Sequence, residues 1–260
     1  MSSCLEFINY QKVGSKLPEA TAIIMLHGWG LNLESLKPLA HLLSSYHEPY
    51  LIDLPGFGYS EPPESAWTAF DYADRLAKFM NDQGIDRADF LGHSFGGKVA
   101  ICFAARYPTR IGYLILMAPS GIPKKRNLLG YMKLKILKTA AICLKLTDRV
   151  IKTTIYKDYF IKKFGSFDYQ NAVGVMRQIL VKSVNEDLSA VAQEVQAPTL
   201  ILWGKLDTET PIEIAFRLKS LIKRAELIIF PHQKHWIWQD TAAHLCAYQI
   251  KQFIQLQGKF

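Results

Sequence analysis

Apolar positions along this chain follow two alternating rhythms. Short apolar runs recur at Ala22–Leu26, Tyr50–Leu54, Ala88–Leu91, Ile111–Met117, Leu200–Gly204 and Glu226–Phe230. Runs this short, bounded by Gly, Pro or Asp, read as buried strands. Between them the spacing becomes helical: Leu33–Leu43 with Asn32 as its cap, Ala66–Asn81, Lys98–Tyr107 stopped by Pro108, Pro211–Ile222, and Thr241 to about Gln257. In Ala66–Asn81 the residues Phe70, Ala73, Leu76, Ala77 and Met80 share one face. Residues 5 to 26 hold one or two edge strands before the central strand that ends at Leu26. Strands alternating with helices imply right-handed crossovers and a mostly parallel sheet with helices on both faces. In such sheets a ligand site lies at the carboxyl ends of the strands.

The polar residues just past those ends carry the candidate chemistry. Gly92-His93-Ser94-Phe95-Gly96 fits G-x-S-x-G, a sharp strand-to-helix turn that exposes a serine. A serine hydroxyl is a weak nucleophile unless a base takes its proton and a carboxylate holds that base. Asp207 follows the strand Leu200–Gly204, and His235 follows Glu226–Phe230. Ser94, Asp207 and His235 therefore stand in the chain order Ser, acid, His, each in a loop after a strand. His232 competes for the base; the strand, short loop and His-Trp pattern selects His235 and leaves His232 as a solvent-exposed loop residue. Lys234 stands where a glycine usually precedes such a histidine, and at positive φ a lysine would be strained. An oxyanion site needs two backbone N–H groups, for which Phe95 and Trp29 are the candidates.

These pieces carry a resemblance. His27-Gly28-Trp29-Gly30, Asp53-Leu-Pro-Gly-Phe-Gly-Tyr-Ser60, the Ser94 turn, Trp203-Gly204 through Pro211, and His235-Trp236 are similar to the motifs of the α/β-hydrolase fold family. They cover about residues 20 to 120 and 195 to 255. The resemblance implies a core of residues 1–120 and 191–260, with a helical cap inserted at 121–190. It places His27, Gly28, His93 and Trp236 at the substrate pocket, the two histidines shaping loops. The implied reaction is hydrolysis of a carboxylic ester with a medium or long acyl group, through an acyl-enzyme and without cofactor. Within the family, His27-Gly-Trp-Gly-Leu-Asn32 and Asp53-Leu-Pro-Gly-Phe-Gly58 look like those of pimeloyl-carrier-protein methyl ester esterases. The turn and residue order also suit carbon–carbon bond hydrolases of ring-fission diketones. A ligand-sensing receptor on the same fold is the non-enzymatic alternative.

Composition changes this picture in one place. The chain of 260 residues carries a net charge of +8, yet residues 121–190 alone hold fourteen basic and five acidic residues. Wound as a helix at ~100° per residue, Leu128–Lys152 gathers Lys135, Lys138, Lys145, Arg149 and Lys152 into one arc. Met132, Ile136, Ala140, Cys143, Leu144, Val150 and Ile151 fall opposite, which predicts an apolar face on the pocket and a basic face outward. That basic face suits an acidic carrier protein, an anionic membrane surface, or plain solvation. No aromatic platform accompanies it, so nucleic acid is not expected. The four cysteines, and the histidines, lack metal-ligand spacing, so no metal is expected. The N-terminus has neither the basic nor the apolar region of a secretory signal, so a cytoplasmic protein is expected.

Overall fold

The computed structural model describes residues 7–14, 20–124, 128–154, 162–164, 166–239 and 242–257. Seven strands form one sheet: β1 Tyr10–Lys12, β2 Thr21–Leu26, β3 His47–Ile52, β4 Ala88–His93, β5 Ile111–Met117, β6 Thr199–Gly204 and β7 Ala225–Phe230. Their order is β1-β3-β2-β4-β5-β6-β7. Only β1 runs antiparallel, on the edge beside β3. The remaining pairs are parallel, so the mostly parallel sheet expected from the apolar rhythm is present.

Both faces of the sheet are buried, and the two-residue period divides the strand side chains between them. Ile24, Leu26, Ile52, Phe90, Leu114, Leu116, Ile201 and Trp203 belong to one core. Ile23, Met25, Leu51, Leu91, Ile115, Met117, Leu200 and Leu202 belong to the other. The first core packs under α2 (Ala69–Asp82), α3 (Phe95–Arg106), α8 (Ser189–Glu194) and α9 (Ile212–Leu221). The second packs under α1 (Lys37–Leu43) and α10 (Ala242–Gln257).

Two helix starts differ from the expectation. Leu33–Leu36 is a 3₁₀ turn, capped by Asn32, that leads into α1. The helix expected from Ala66 begins at Ala69, because Thr68 and Asp71 form a reciprocal capping box there. Thr241, expected to open the last helix, lies outside the described residues.

Between β5 and β6 the chain forms α4 (Leu128–Ile151), α5 (Lys162–Phe164), α6 (Phe167–Asn171), α7 (Gly174–Asn185) and then α8. Met132, Ile136, Ala140 and Cys143, expected to face a pocket, line an open cavity of about 530 Å³, while Val150 and Ile151 are exposed and Leu144 is half-buried. Lys135, Lys145, Arg149 and Lys152 are also exposed; the side chain of Lys138 lies outside the described part. The half-buried positions of the helix are Leu137, Ala140, Ala141, Leu144 and Asp148.

The order β3-β2-β4 puts the switch in winding direction between β2 and β4. Ligands on open α/β sheets collect at such a point, outside the carboxyl ends of the strands. The loop beginning at His27 leaves β2 there, and Ser94 leaves β4 beside it.

Candidate active site

Ser94 is held in a backbone conformation that a side chain rarely adopts, φ 48° and ψ −108°. Its surroundings over-determine it. The Ser94 N–H donates to Met117 O at 3.0 Å, while its carbonyl accepts from Lys98 N and Ser120 N, each at 3.0 Å. Glycine is required on both sides because the turn is tight. A Cβ on Gly92 would stand 2.5 Å from Gly96 O, and one on Gly96 would stand 2.3 Å from Leu26 O. Ser94 remains half-exposed at the head of α3, while its neighbours His93 and Phe95 are buried.

Asp207 is oriented by its own loop. Oδ1 accepts from Glu209 N at 2.8 Å and Thr210 N at 2.9 Å, and Oδ2 accepts from Thr210 Oγ1 at 2.7 Å. The indole of buried Trp203 donates to Thr210 O at 2.8 Å and anchors that loop to β6. On the other oxygen face, His235 Nδ1 donates to Asp207 Oδ2 at 2.7 Å. Burial works against the charge on Asp207, but the hydrogen bonds from His235 and Thr210 outweigh it and hold the carboxyl below its usual range.

The two loops are also laced together through backbone bonds, Lys205 N to Phe230 O and Leu206 N to Gln233 O, both 2.9 Å. Lys234 does not take the positive φ that a lysine would resist. Close approach is absorbed instead at Gly204, where a Cβ would meet Lys234 O at 2.1 Å. His232 is exposed and His235 is buried. Among the described residues Ser94 Oγ makes no hydrogen bond to His235, a separation common before substrate arrives.

The N–H groups of Trp29 and Phe95 donate to no backbone or side-chain acceptor among the described residues. They flank the turn from two sides, and the rings of Trp29 and Phe95 meet edge to face at 5.2 Å. Phe57 closes the aromatic group at 4.9 Å from Trp29.

His27 holds the Trp29 loop. Its Nδ1 donates to Gly28 O at 2.7 Å and its Nε2 accepts from Leu54 N at 3.1 Å. That bonding uses a neutral ring, and burial lowers the pKa to about 4. His93 fills the space under Gly28, 4.7 Å from the His235 ring and 4.4 Å from Trp238. Burial, with the neighbouring His235, pushes its pKa well below the usual histidine range. Trp236 is half-buried beside His93, with its ring 6.2 Å away.

Several residues at the site were not singled out from the sequence. Asp53 organises the Pro55–Ser60 loop: it accepts from Asn9 Nδ2, Leu33 N and Tyr59 N. Thr210 bridges Asp207, and the Asp-x-x-Thr spacing before Pro211 is the signal that marks it. Glu209 Oε2 stands 3.6 Å from His235 Nε2. Asp168 of α6, in the segment between β5 and β6, comes to the same side, its Oδ1 3.8 Å from where a Cβ on Gly30 would stand. Burial and the neighbouring Glu209 raise the Asp168 pKa, and His235 opposes the rise. Nothing in the local pattern around Asp168 predicts that position. A surface cavity of about 740 Å³ beside Pro211 is walled by Pro123, Ile214, Phe216 and Arg217. None of Ser94, Asp207 or His235 lines it.

A buried imidazole fixed by a carboxylate, a serine on a strained turn and two unengaged N–H groups suit nucleophilic attack on a carbonyl. Comparison with known proteins shows what the chain resembles. The family model described as alpha/beta hydrolase fold matches residues 21–139. A 2-hydroxy-6-oxononadienedioate/2-hydroxy-6-oxononatrienedioate hydrolase of Cupriavidus pinatubonensis is 26% identical, across 86% of this chain and 84% of its own. A meta-cleavage product hydrolase from Pseudomonas fluorescens superposes with a TM-score of 0.68 at 21% identity, covering 96% of this chain and 94% of that one. The enol-lactonase of Burkholderia xenovorans gives 0.72 at 19% identity, covering 95% and 96%. With the sheet order and the turn after β4, these likenesses show that the chain has the α/β-hydrolase fold.

Proposed function

We propose that this hydrolase cleaves carboxylic esters through an acyl-enzyme formed on Ser94. The observation that carries the reading is the 2.7 Å bond from His235 to a buried Asp207, on the strand ends that also carry Ser94. In the first step His235 Nε2 takes the Ser94 proton as Oγ bonds to the ester carbonyl carbon. The carbonyl oxygen becomes an oxyanion, stabilised by the N–H groups of Trp29 and Phe95. The tetrahedral species collapses, and the alcohol leaves with the proton from His235. Water, deprotonated by His235, then attacks the acyl carbon and releases the acid. Asp207 holds the imidazole and stabilises its cationic form.

Residues 121–190 are read as the cap over this site. Trp29, Phe57 and Phe95 provide an apolar wall beside the turn, with half-buried Met176 close to Gly56.

Carbon–carbon bond cleavage is the second reading, favoured by the name of the Cupriavidus relative. A dioate substrate carries two negative charges. Here Asp168 and Glu209 flank His235 and would repel an anionic acid group. That asymmetry favours a neutral ester. The test is kcat/KM for a p-nitrophenyl ester series against a ring-fission diketone acid. Ester turnover at least ~100-fold higher, abolished in Ser94→Ala, is expected. Preference for the diketone would replace the ester reading, and no turnover of either would favour a ligand-sensing role.

A further inference from the structure

Helix α4 runs for 24 residues, about 36 Å at the usual rise, and shows solvent a face that globular proteins ordinarily cover. Met132, Ile136, Leu146 and Val150 are 52, 66, 57 and 79% exposed. At ~100° per residue these four and exposed Cys143 lie within an arc of about 80°. Lys135 and Arg149, both exposed, border that stripe along one side. The face that turns inward is the opposite one, carried by half-buried Leu137, Ala141, Leu144 and Asp148. Asp148 is the one acid in the helix, so the outward face carries cations and apolar groups but no anion. Among the described residues no helix is long and apolar enough to cross a membrane.

We infer that this outward face of α4 docks the protein on an anionic lipid surface, lying in the plane of the interface. A narrow apolar stripe sinks below the headgroups while the neighbouring Lys135 and Arg149 meet acidic phosphates. The other occupants fit less well. A second copy of this chain would bring identical basic borders together, within a segment that already holds fourteen basic residues and five acids. An acidic protein would match the charge but leave a stripe of five apolar side chains without a stated counterpart. A lipid surface satisfies both features without shape complementarity. Docking of this kind does not depend on which bond the site cleaves.

The experiment is co-sedimentation of the full chain with vesicles of phosphatidylcholine alone, or with roughly 30 mol% phosphatidylglycerol. It is run at salt of ~0.01 M and ~0.15 M. Binding to the anionic vesicles is expected, at least tenfold weaker on the neutral ones and weakened by salt. The double reversal Lys135→Glu with Arg149→Glu is expected to lose at least tenfold. Leu146→Ser with Val150→Ser, which leaves the net charge unchanged, is expected to lose at least as much. Thermal unfolding equal to the parent's shows that each variant is folded. Absence of binding to anionic vesicles at low salt overturns the inference. Binding indifferent to the two serine changes does so too, since it would be simple electrostatic adhesion. A dimer in light scattering that the serine changes dissolve, without vesicle binding, assigns the face to a second copy. Binding of an acidic carrier protein without vesicle binding assigns it to a protein.

Discussion

Ser94, His235 and Asp168 each make a separate claim at the scale of one side chain. Ser94→Ala is expected to lower ester turnover roughly 10⁴-fold or more without unfolding the protein. A fluorophosphonate probe should label Ser94; labelling of Ser60 or Ser120 would redirect the assignment. His235→Ala should cost about as much as Ser94→Ala, because the groups act as a unit, while exposed His232 should tolerate alanine within about tenfold. Asp168 offers a subtler readout. Its carboxylate interacts with His235 across the site, so Asp168→Asn should lower kcat/KM for a neutral ester about threefold. An unchanged kcat/KM would remove Asp168 from the electrostatics of the site.

Elements meet at a buried ion pair that joins α3 to the end of α7. Lys98 is fully buried one turn after Ser94, and its ammonium stands 2.8 Å from Glu186 Oε2. Nζ also donates to Ser183 O, and Glu186 Oε1 accepts from Ala69 N at the start of α2. Three helices are thereby tied at one point. Burial lowers the Lys98 pKa and the bond to Glu186 opposes that. Removing the partner strands a charge, and Glu186→Ala should cost about 3 kcal/mol in urea unfolding. Replacing both, Lys98→Met with Glu186→Leu, should recover most of that loss. If the single change costs under about 1 kcal/mol, the pair is not the tie proposed.

The whole molecule carries a pH dependence set by the same loops. His27 is neutral in the fold with a pKa near about 4, whereas the unfolded chain takes up its proton below about 6.5. Stability from this group is therefore present above about 6.5 and is lost as pH falls toward about 4. Between pH 7 and 5 the loss should be about 2 kcal/mol in urea unfolding, with buried His93 adding to it in the same direction. His27→Asn should flatten the profile by the His27 share. A parent protein equally stable at both pH values would contradict the neutral, hydrogen-bonded His27.

What could be read in the chain was what depends on neighbours in sequence. Six strands were visible as short apolar runs, because a doubly covered parallel sheet needs continuous apolar strands. The Ser94 turn was visible because its tight geometry needs glycine at fixed offsets, and the order of Ser94, Asp207 and His235 because each closes a strand. Tertiary structure alone decided the rest. Asp168 and His235 interact although 67 positions apart in sequence, and no local pattern encodes that approach. Lys98 looks like an ordinary helix cation until Glu186 folds over it. The periodicity of α4 identified an amphipathic helix but not its orientation. Its apolar residues spread around more than one face, and only packing through Leu137, Ala141 and Leu144 settled which of them water would meet.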